Sequence, residues 1–367
     1  MKIVIYGGSF DPIHNGHLKM ALHAKEKLNA DKVIFLLSKH PRFKQVKADD
    51  KHRLEMLKIA LDGISWAEID LTEYNSSEEV NYTYLTMLKL KEKYQGELYF
   101  LIGGDNINLF DKWYEAEKLS NLVSLVGVER PNVIINQDLI DKYQIKLIGP
   151  CLSEMSSTSL RNFSMIECPF NVLKYIIEHE LYFVPQIRKY ISQKRFNHSY
   201  EVAKLAYQIA KENNLNPYKA FQGGLLHDIG RELNIDYQRD YMNENYKEYV
   251  DQLKPSLYHQ FLSVHLAEKQ FNIHDQELLE SFKYHATGKA DLSPLGKVIY
   301  VSDKIEPTRG YDSSHMIKAC LNDIEKGFVQ VLEENIKYLT KTNKDFNNIL
   351  TNSCIEYYLE GKENESN

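Results

Sequence analysis

The chain has 367 residues, of which 43% are hydrophobic, and it carries 45 Lys and Arg against 51 Asp and Glu, a formal net charge of -6. This length predicts two domains, each with an ordinary apolar core. Neither half is basic, so the composition argues against nucleic acid as a partner.

The cysteines and the apolar runs indicate the compartment. The four cysteines include no pair with C-x-x-C spacing, so we expect them to be reduced and buried and not to bind zinc. The N-terminus lacks the pattern of a secretion signal, and no run of eighteen apolar residues occurs. The sequence therefore predicts a soluble, cytoplasmic protein with no membrane partner, and it leaves assembly into a homo-oligomer open.

The first half of the chain alternates between strand and helix patterns. A helical pattern over 49–63, for example, has an acidic start and stops at Gly63. This alternation predicts a parallel sheet with helices on both faces, which is an α/β Rossmann-like domain. The apolar runs rich in β-branched residues predict strands at 2–6, 32–37, 66–71, 97–102, 122–128 and 145–148.

After about residue 185 the strand patterns almost vanish and helical patterns continue to the end. This change predicts an all-α second domain, with the junction at 186–194. The predicted domains are therefore 1–193 and 194–367, with a frayed tail over the last few residues.

The string GGSFDPIHNGH at 7–17 is the most informative stretch of the first half. Glycines after a first strand let backbone N–H groups approach a phosphate, and the following helix start adds a favourable dipole. His14 and His17 are three residues apart across that helix start, so both imidazoles can donate to phosphate oxygens. An isolated pair of this kind is more often a polar turn, but the whole string favours a phosphate site. It adds Gly7, Gly8, Ser9 and Phe10 as candidate binding residues.

The same string resembles the signature of the nucleotidylyltransferase superfamily, and it is most similar to that of bacterial nicotinate-nucleotide adenylyltransferases. The resemblance covers residues 1 to about 193. One departure stands in the basic loop, where Pro41-Arg42-Phe43-Lys44 replaces the family's P-P-H-K. The other stretches that resemble the family follow in its order, namely SKHPRFK, VNYTYLTM, LIGGDNINLFDKW, GVERP, MSSTSLRN and LYFVPQIRKYI.

The resemblance implies that nicotinate mononucleotide attacks the α-phosphate of ATP and releases pyrophosphate, with Mg²⁺ carried by ATP. It implies that His14 and His17 hold the ATP phosphates and that Lys44 neutralises charge near the transfer. Trp113 could instead be core, and Thr83 or the Ser-Ser-Thr stretch could be a helix cap. The other implied contacts are Ser156, Ser157, Thr158 and Arg161 for the β- and γ-phosphates, Asp105 for the ribose, and Thr83 with Trp113 for the nicotinate ring.

The second half contains GGLLHDIGRE, in which His227 and Asp228 follow a buried helical pattern. Adjacent His and Asp can bind one metal where the helix is slightly distorted, although such a pair alone is a weak signal. Further histidines and one aspartate complete an inventory for a two-metal site with nitrogen and oxygen ligands. These are His198, His259, His285 and Asp303.

RFNHS, LLHDIGRE, HATG and VSDKIEPTR resemble bacterial HD-domain hydrolases that cleave diadenosine tetraphosphate symmetrically to ADP, over about 194–340. The resemblance implies two divalent metals, iron in that family, with Asp228 as the bridge and a water of lowered pKa attacking phosphorus. His259 is preferred to its rival His265, because LYHQ takes the place of the family's L-H-G, with Gln260 in place of the glycine as a departure. The implied ligands are His198, His227, Asp228 and Asp303, with His259 and His285 for the second metal. Arg231, Lys304 and Arg309 are candidates for phosphate contacts, surface charge being the alternative for the first two and a structural role for Arg309.

Taken together, these patterns predict a bifunctional enzyme. Its partners would be ATP, nicotinate mononucleotide and a dinucleoside polyphosphate. The HD half could instead act on guanosine tetraphosphate or a deoxynucleotide, or be a metal-bound regulatory module. The first half could instead use pantetheine phosphate or nicotinamide mononucleotide.

Overall fold

The computed structural model describes residues 1–39, 45–78, 80–129, 133–151 and 155–360. The chain forms two compact units. The first comprises 1–161 and 167–182, and the second comprises 162–166 and 183–367.

The first unit is built on a sheet of six parallel strands, which confirms the predicted α/β class. The strands are β1 (Lys2–Gly8), β2 (Lys32–Leu37), β3 (Ala67–Asp70), β4 (Glu97–Gly103), β5 (Ser124–Glu129) and β6 (Lys146–Pro150). The helices are α1 (Asn15–Leu28), α2 (Asp50–Leu61), α3 (Thr83–Lys93), α4 (Gly104–Ile107), α5 (Ala116–Leu122), α6 (Gln137–Tyr143), α7 (Ser157–Arg161) and α8 (Phe170–Glu178).

The strand order is β3-β2-β1-β4-β5-β6, so the order reverses between β1 and β4. The middle residues of both strands are buried because helices cover both faces of a parallel sheet. At such a reversal a crevice opens beyond the carboxyl ends of the strands, where ligands bind in open α/β sheets. Gly8 ends β1 and Gly103 ends β4 at this point.

In the second unit, every regular element among the described residues is helical, which confirms the predicted all-α class. The α-helices are α9 (Val184–Arg188), α10 (Gln193–Glu212), α11 (Pro217–Leu226), α12 (Ile235–Asn245), α13 (Lys247–Val250), α14 (His259–Phe271), α15 (Gln276–Tyr284), α16 (Pro294–Ile305), α17 (Ser314–Asn322), α18 (Ile324–Lys341) and α19 (Ile349–Ile355).

Close packing of α10 on α11 positions the residues that follow α11. A Cβ atom on Gly224 would lie 2.5 Å from the Cα of Ala203, a separation that only glycine allows. The end of α11 therefore lies directly against the helix that carries His198. Within the described part of the chain, no helix combines the length and the apolar character needed to cross a membrane.

Candidate functional sites in the two units

A crevice of about 400 Å³ opens in the first unit beside the ends of β1 and β4. It contains nearly all of the residues that the sequence analysis assigned to ATP or to nicotinate mononucleotide. The exceptions are Thr83, which lines an adjoining pocket, and Lys44, which lies outside the described residues. The predicted residues that line the crevice are Gly7, Gly8, Ser9, Phe10, His14, His17, Asp105, Trp113, Ser156, Ser157, Thr158 and Arg161.

The two histidines of the signature stack at the start of α1. Their ring centroids are 3.7 Å apart, and His14 is the residue before the first turn of the helix. The backbone N–H of His14 donates to Nδ1 of His17 at 3.2 Å. Because Nδ1 of His17 accepts, the neutral ring carries its proton on Nε2. His17 can therefore donate a hydrogen bond to a ligand in the crevice.

The second signature segment is tied to the first by hydrogen bonds. Arg161 donates to the Asp11 carbonyl at 2.6 Å and to Oγ1 of Thr158 at 2.9 Å. The hydroxyl of Ser157 donates to the Pro12 carbonyl at 3.1 Å. These bonds bring residues about 150 positions apart in sequence to one crevice and direct cationic and hydroxyl groups to it. Ser156 also caps α7, since its Oγ accepts from the Ser159 N–H at 3.0 Å.

Two buried charged residues that the sequence analysis did not single out hold the loops around this crevice. Asp11 accepts from the backbone N–H groups of Lys47 and Ala48, at 2.7 and 3.1 Å, and from the hydroxyl of Tyr182 at 2.9 Å. Burial, and then the charge of Asp11, raises the pKa of Tyr182, so its hydroxyl remains a donor. Asp11 lies inside the signature string, which is the signal that could have identified it.

Arg53 on α2 is fully buried, and burial lowers the pKa of its guanidinium. It donates to three backbone carbonyls at the carboxyl ends of β1 and β2. Its position on the same helical face as Met56 and Leu57 is the signal that could have identified it, because a charged residue there must be paired. The guanidinium nitrogens of Arg53 lie 2.8 Å from the carbonyl oxygen of Ser9, 2.7 Å from that of Ser38 and 3.0 Å from that of Lys39.

A pocket of about 170 Å³ adjoins the crevice and shares Trp113 and the Gly7–Gly8 turn with it. Trp113 packs against the rings of Phe100 and Phe110, so it faces both the core and the pocket. Thr83 is the first residue of α3, and the preceding Tyr82 occupies the cap position. The aromatic and polar lining suits a flat ring that carries a polar substituent.

The predicted metal ligands of the second unit come together from five helices or their ends. His198 lies within α10, His259 begins α14, His285 follows α15 and Asp303 lies in α16. His227 and Asp228 come directly after α11, which ends at Leu226, in keeping with their place after the buried helical pattern. His227 still has helical dihedral angles, and its backbone N–H donates to the Gly223 carbonyl at 3.0 Å, so the last turn of α11 sets the direction of its side chain.

The distances divide the cluster into two groups that share Asp228. In the first group, Nε2 of His227 lies 3.6 Å from Oδ2 of Asp228 and 3.6 Å from Oδ1 of Asp303. Nε2 of His198 lies 3.2 Å from the same Asp303 oxygen. The second group is built on the other oxygen of Asp228.

In this second group, Oδ1 of Asp228 lies 3.2 Å from Nε2 of His259 and 3.4 Å from Nε2 of His285. The two carboxylate oxygens of Asp228 therefore face different histidines. His265, the rival candidate, lies elsewhere, with its ring 4.7 Å from that of Tyr241.

Hydrogen bonds from Nδ1 fix the tautomer of His227 and His285, so that Nε2 is the nitrogen that can coordinate a metal. Nδ1 of His227 lies 2.7 Å from the Gly224 carbonyl, and Nδ1 of His285 lies 2.8 Å from the Phe282 carbonyl. A carbonyl only accepts, so Nδ1 carries the proton and Nε2 presents a lone pair. Nε2 of His227 is buried and makes no hydrogen bond to the described residues. This donor set fits divalent transition metals. Two sets of three ligand atoms are close enough to hold an ion, namely those of His198, His227 and Asp303 and those of His227, Asp228 and His285.

The charges around the cluster keep its ligands in their coordinating forms. Burial raises the pKa of Asp228, but His227, His259 and His285 outweigh it and hold that pKa well below its usual range. Burial lowers the pKa of His285 to about 4, which leaves the imidazole neutral near pH 7. The carboxylate is therefore charged and the imidazole has a free lone pair.

Basic side chains pair with the two aspartates. Arg195 lies 2.7 Å from Oδ2 of Asp228, Arg309 lies 2.5 Å from Oδ1 of Asp303, and Lys304 lies 2.8 Å from Oδ2 of Asp303. The sequence analysis missed Arg195, although it stands one helical turn before His198. It also missed Glu306, whose carboxylate lies 3.2 Å from Nδ1 of His198 and orients that ring.

Comparison with known proteins assigns a family model to each half. The Cytidylyltransferase-like model matches residues 5–163, and the HD domain model matches residues 195–308. A Mycoplasma genitalium protein named "Probable nicotinate-nucleotide adenylyltransferase/Ap4A hydrolase" is 29% identical over 94% of this chain and 99% of its own length. A Listeria welshimeri protein named "Probable nicotinate-nucleotide adenylyltransferase" is 38% identical over 49% of this chain and 97% of its own length.

Among solved structures, a Clostridium acetobutylicum protein described as a "predicted HD superfamily hydrolase involved in NAD metabolism" is 28% identical. It matches with a TM-score of 0.43 over 48% of this chain and 95% of its own.

Proposed function

We propose a bifunctional enzyme, proceeding from the fact that this chain belongs to the nicotinate-nucleotide adenylyltransferase family and carries an HD domain in its second half. The first half would transfer AMP from ATP to nicotinate mononucleotide, giving nicotinate adenine dinucleotide and pyrophosphate. The second half would hydrolyse diadenosine tetraphosphate. The proposed domains are 1–193 and 194–367.

The adenylyltransferase assignment rests on one observation, namely that both signature segments line the same crevice. Phosphoryl transfer of this kind requires positioning and charge neutralisation, with no covalent intermediate. The Nε2–H of His17 and the guanidinium of Arg161 would donate to ATP phosphates, and Asp105 would contact the ribose. As the nucleotide phosphate bonds to the α-phosphorus, the bond to the bridging oxygen breaks and pyrophosphate takes the electron pair. Mg²⁺ would enter with ATP.

Thr83 and Trp113 would contact the pyridine ring in the adjoining pocket. The experiment for this half is a comparison of nicotinate mononucleotide, nicotinamide mononucleotide and pantetheine phosphate as acceptors, with pyrophosphate release as the readout. Clear preference for the nicotinate acceptor supports the proposal. Preference for either other acceptor contradicts it.

The observation that carries the second assignment is the pair of ligand groups sharing Asp228. His198, His227, Asp228 and Asp303 would hold one divalent metal, and His259 and His285 would join Asp228 around a second, with iron as the expected ion. Bound metals of this kind act as Lewis acids and lower the pKa of water. Attack by water at the second phosphorus from either end would give two molecules of ADP.

The experiment for this half uses the whole chain loaded with iron or manganese, diadenosine tetraphosphate, and chromatography of the products beside an Asp228→Ala control. ADP as the sole product, absent in the control, supports symmetrical hydrolysis. AMP with ATP places the attack at another phosphorus and refutes it. No turnover despite bound metal leads to guanosine tetraphosphate and deoxynucleotides, and then to a regulatory role.

A further inference from the structure

Two clefts in the second unit approach the metal-ligand cluster from different sides. The larger has a volume of about 810 Å³ and the smaller about 600 Å³. His259 and His285 line only the larger cleft, whereas His198 lines only the smaller. Among the described cluster residues, His198 is thus the one that reaches the smaller cleft, whereas Asp228 and Asp303 line the larger cleft together with His259 and His285.

Among the described residues, two line both clefts, and both are arginines. These are Arg195 and Arg309. Arg195 contacts the shared ligand Asp228 and Arg309 contacts Asp303, so both guanidinium groups stand at the cluster itself. A guanidinium can bind two phosphate oxygens at once. The junction of the clefts is thus a site for the middle of a polyphosphate chain.

The outer parts of the two clefts differ in chemistry. The larger cleft extends to Tyr338 in α18, whose half-exposed ring lies under the ammonium group of Lys344 at 5.2 Å. Such a ring can stack on a nucleobase. The smaller cleft has a polar wall in which Gln193 donates to Asn197 at 2.7 Å. The part of the larger cleft formed by α18 lies beyond residue 308, where the match to the HD domain model ends.

We propose that Arg195 and Arg309 grip the centre of a dinucleoside polyphosphate, and that the larger and smaller clefts each hold one nucleotide half. This rests on the proposed hydrolase activity and assigns the residues that receive the two ends of its substrate. Cleavage falls in the middle because the chain is centred on the two arginines, although the clefts that receive its ends are unlike. Tyr338 and Asn197 become specificity-determining residues that do not touch the reacting atoms.

The test measures affinity as well as turnover. The whole chain, loaded with manganese and saturated with nicotinate adenine dinucleotide to fill the first site, is titrated by calorimetry with a methylene-bridged diadenosine tetraphosphate that cannot be cut at its centre. Asn197→Trp fills the smaller cleft, and Tyr338→Ala removes the stacking surface of the larger. The exposed residues Lys211, on the same helix as Asn197, and Tyr357 provide the matched controls Lys211→Trp and Tyr357→Ala.

Each cleft variant should weaken binding by about tenfold, the effect of one lost nucleobase contact. The double variant should weaken it by about a hundredfold, because contacts at two separated ends contribute independently. Both controls should leave the affinity within about twofold. The variants should also raise KM for diadenosine tetraphosphate more than for adenosine tetraphosphate, which has only one nucleoside.

Unchanged affinity in the Asn197→Trp variant would mean that the substrate lies in the larger cleft alone, and would overturn the inference. The proposed function fails separately, if the wild-type chain makes no ADP from diadenosine tetraphosphate.

Discussion

Replacement of Arg53 by methionine tests whether a buried guanidinium supports the ATP crevice. Arg53→Met retains most of the side-chain volume but removes three donated hydrogen bonds, leaving the partly buried carbonyls of Ser9, Ser38 and Lys39 without this partner. Bonds to a charged donor contribute about 1.5 to 3 kcal/mol each, and the burial of the charge offsets part of that. We expect a loss of about 3 kcal/mol in the free energy of unfolding, or about 1 kcal/mol per bond.

The assay follows from the positions of the tryptophans. The chain has two, Trp66 and Trp113, and both lie in the first unit. Tryptophan fluorescence during urea denaturation therefore reports the unfolding of that unit. Lys58→Met is the matched control, because Lys58 is exposed on the same helix and makes only a surface ion pair.

The same variant should impair catalysis, since Arg53 binds the loop that follows the Gly7–Gly8 turn. A displacement of that loop by about 1 Å should lower kcat/KM for nicotinate adenine dinucleotide formation by about a hundredfold. Arg53→Lys keeps the charge but cannot donate to all three carbonyls in the same geometry. Its kcat/KM should therefore lie between those of the wild type and Arg53→Met. An Arg53→Met variant with wild-type unfolding and wild-type kcat/KM would refute this account of the crevice.

Three further predictions concern single side chains. His17→Ala should lower kcat for the first half by about a hundredfold or more, with little change in unfolding, because it removes a phosphate donor; pyrophosphate release measures this. Asp228→Asn should abolish diadenosine tetraphosphate hydrolysis and reduce bound metal, measured by mass spectrometry, while nicotinate adenine dinucleotide formation is unchanged. Asp70→Asn should lower the stability of the first unit by about 1 to 2 kcal/mol at pH 7. Burial raises the Asp70 pKa, but hydrogen bonds from Lys93, Thr72 and Tyr94 outweigh it and lower that pKa below 3.8. The contribution is therefore present above pH 3.8 and lost as the pH falls further, so wild-type and variant unfolding curves measured at pH 7 and at pH 3 should converge at the lower pH.

The sequence predicted the sheet and the phosphate crevice because their signals are local. The strands β1, β2, β4 and β5 each contain an apolar run, and His14 with His17 lies beside the glycines that end β1. The position of the crevice follows from the strand order, which places the ends of β1 and β4 side by side. Asp11 and Arg53 escaped prediction because their roles depend on backbone groups of distant loops, which no residue pattern records.

Prediction of the metal-ligand cluster depended on a resemblance to a known family, because the ligands are far apart in the chain. His198 and Asp303 are separated by 105 residues, yet their side chains lie 3.2 Å apart. Nothing in their local sequences specifies that separation. Packing between α10, α11 and α16 sets it, and Gly224 makes the closest part of that packing possible.

Helix geometry and the packing of α14 determine whether His259 or His265 reaches Asp228. Six residues along a helix correspond to a rotation of about 240°, so the two side chains face different directions and only one can face Asp228. Gly230 selects His259, because a Cβ there would lie 2.8 Å from the His259 carbonyl and 2.8 Å from the Ser263 nitrogen. Gly230→Ala should push α14 away, at a cost of about 1 to 3 kcal/mol, and withdraw His259 from Asp228.

The expected result for Gly230→Ala is a lower ratio of metal to protein and weaker hydrolysis, whereas His265→Ala should preserve both. Metal analysis after gel filtration distinguishes them. If Gly230→Ala retained full metal content and turnover, close packing of α14 would not be what positions His259. The choice of ligand is thus made by a glycine 29 residues upstream, where a sequence pattern centred on either histidine does not extend.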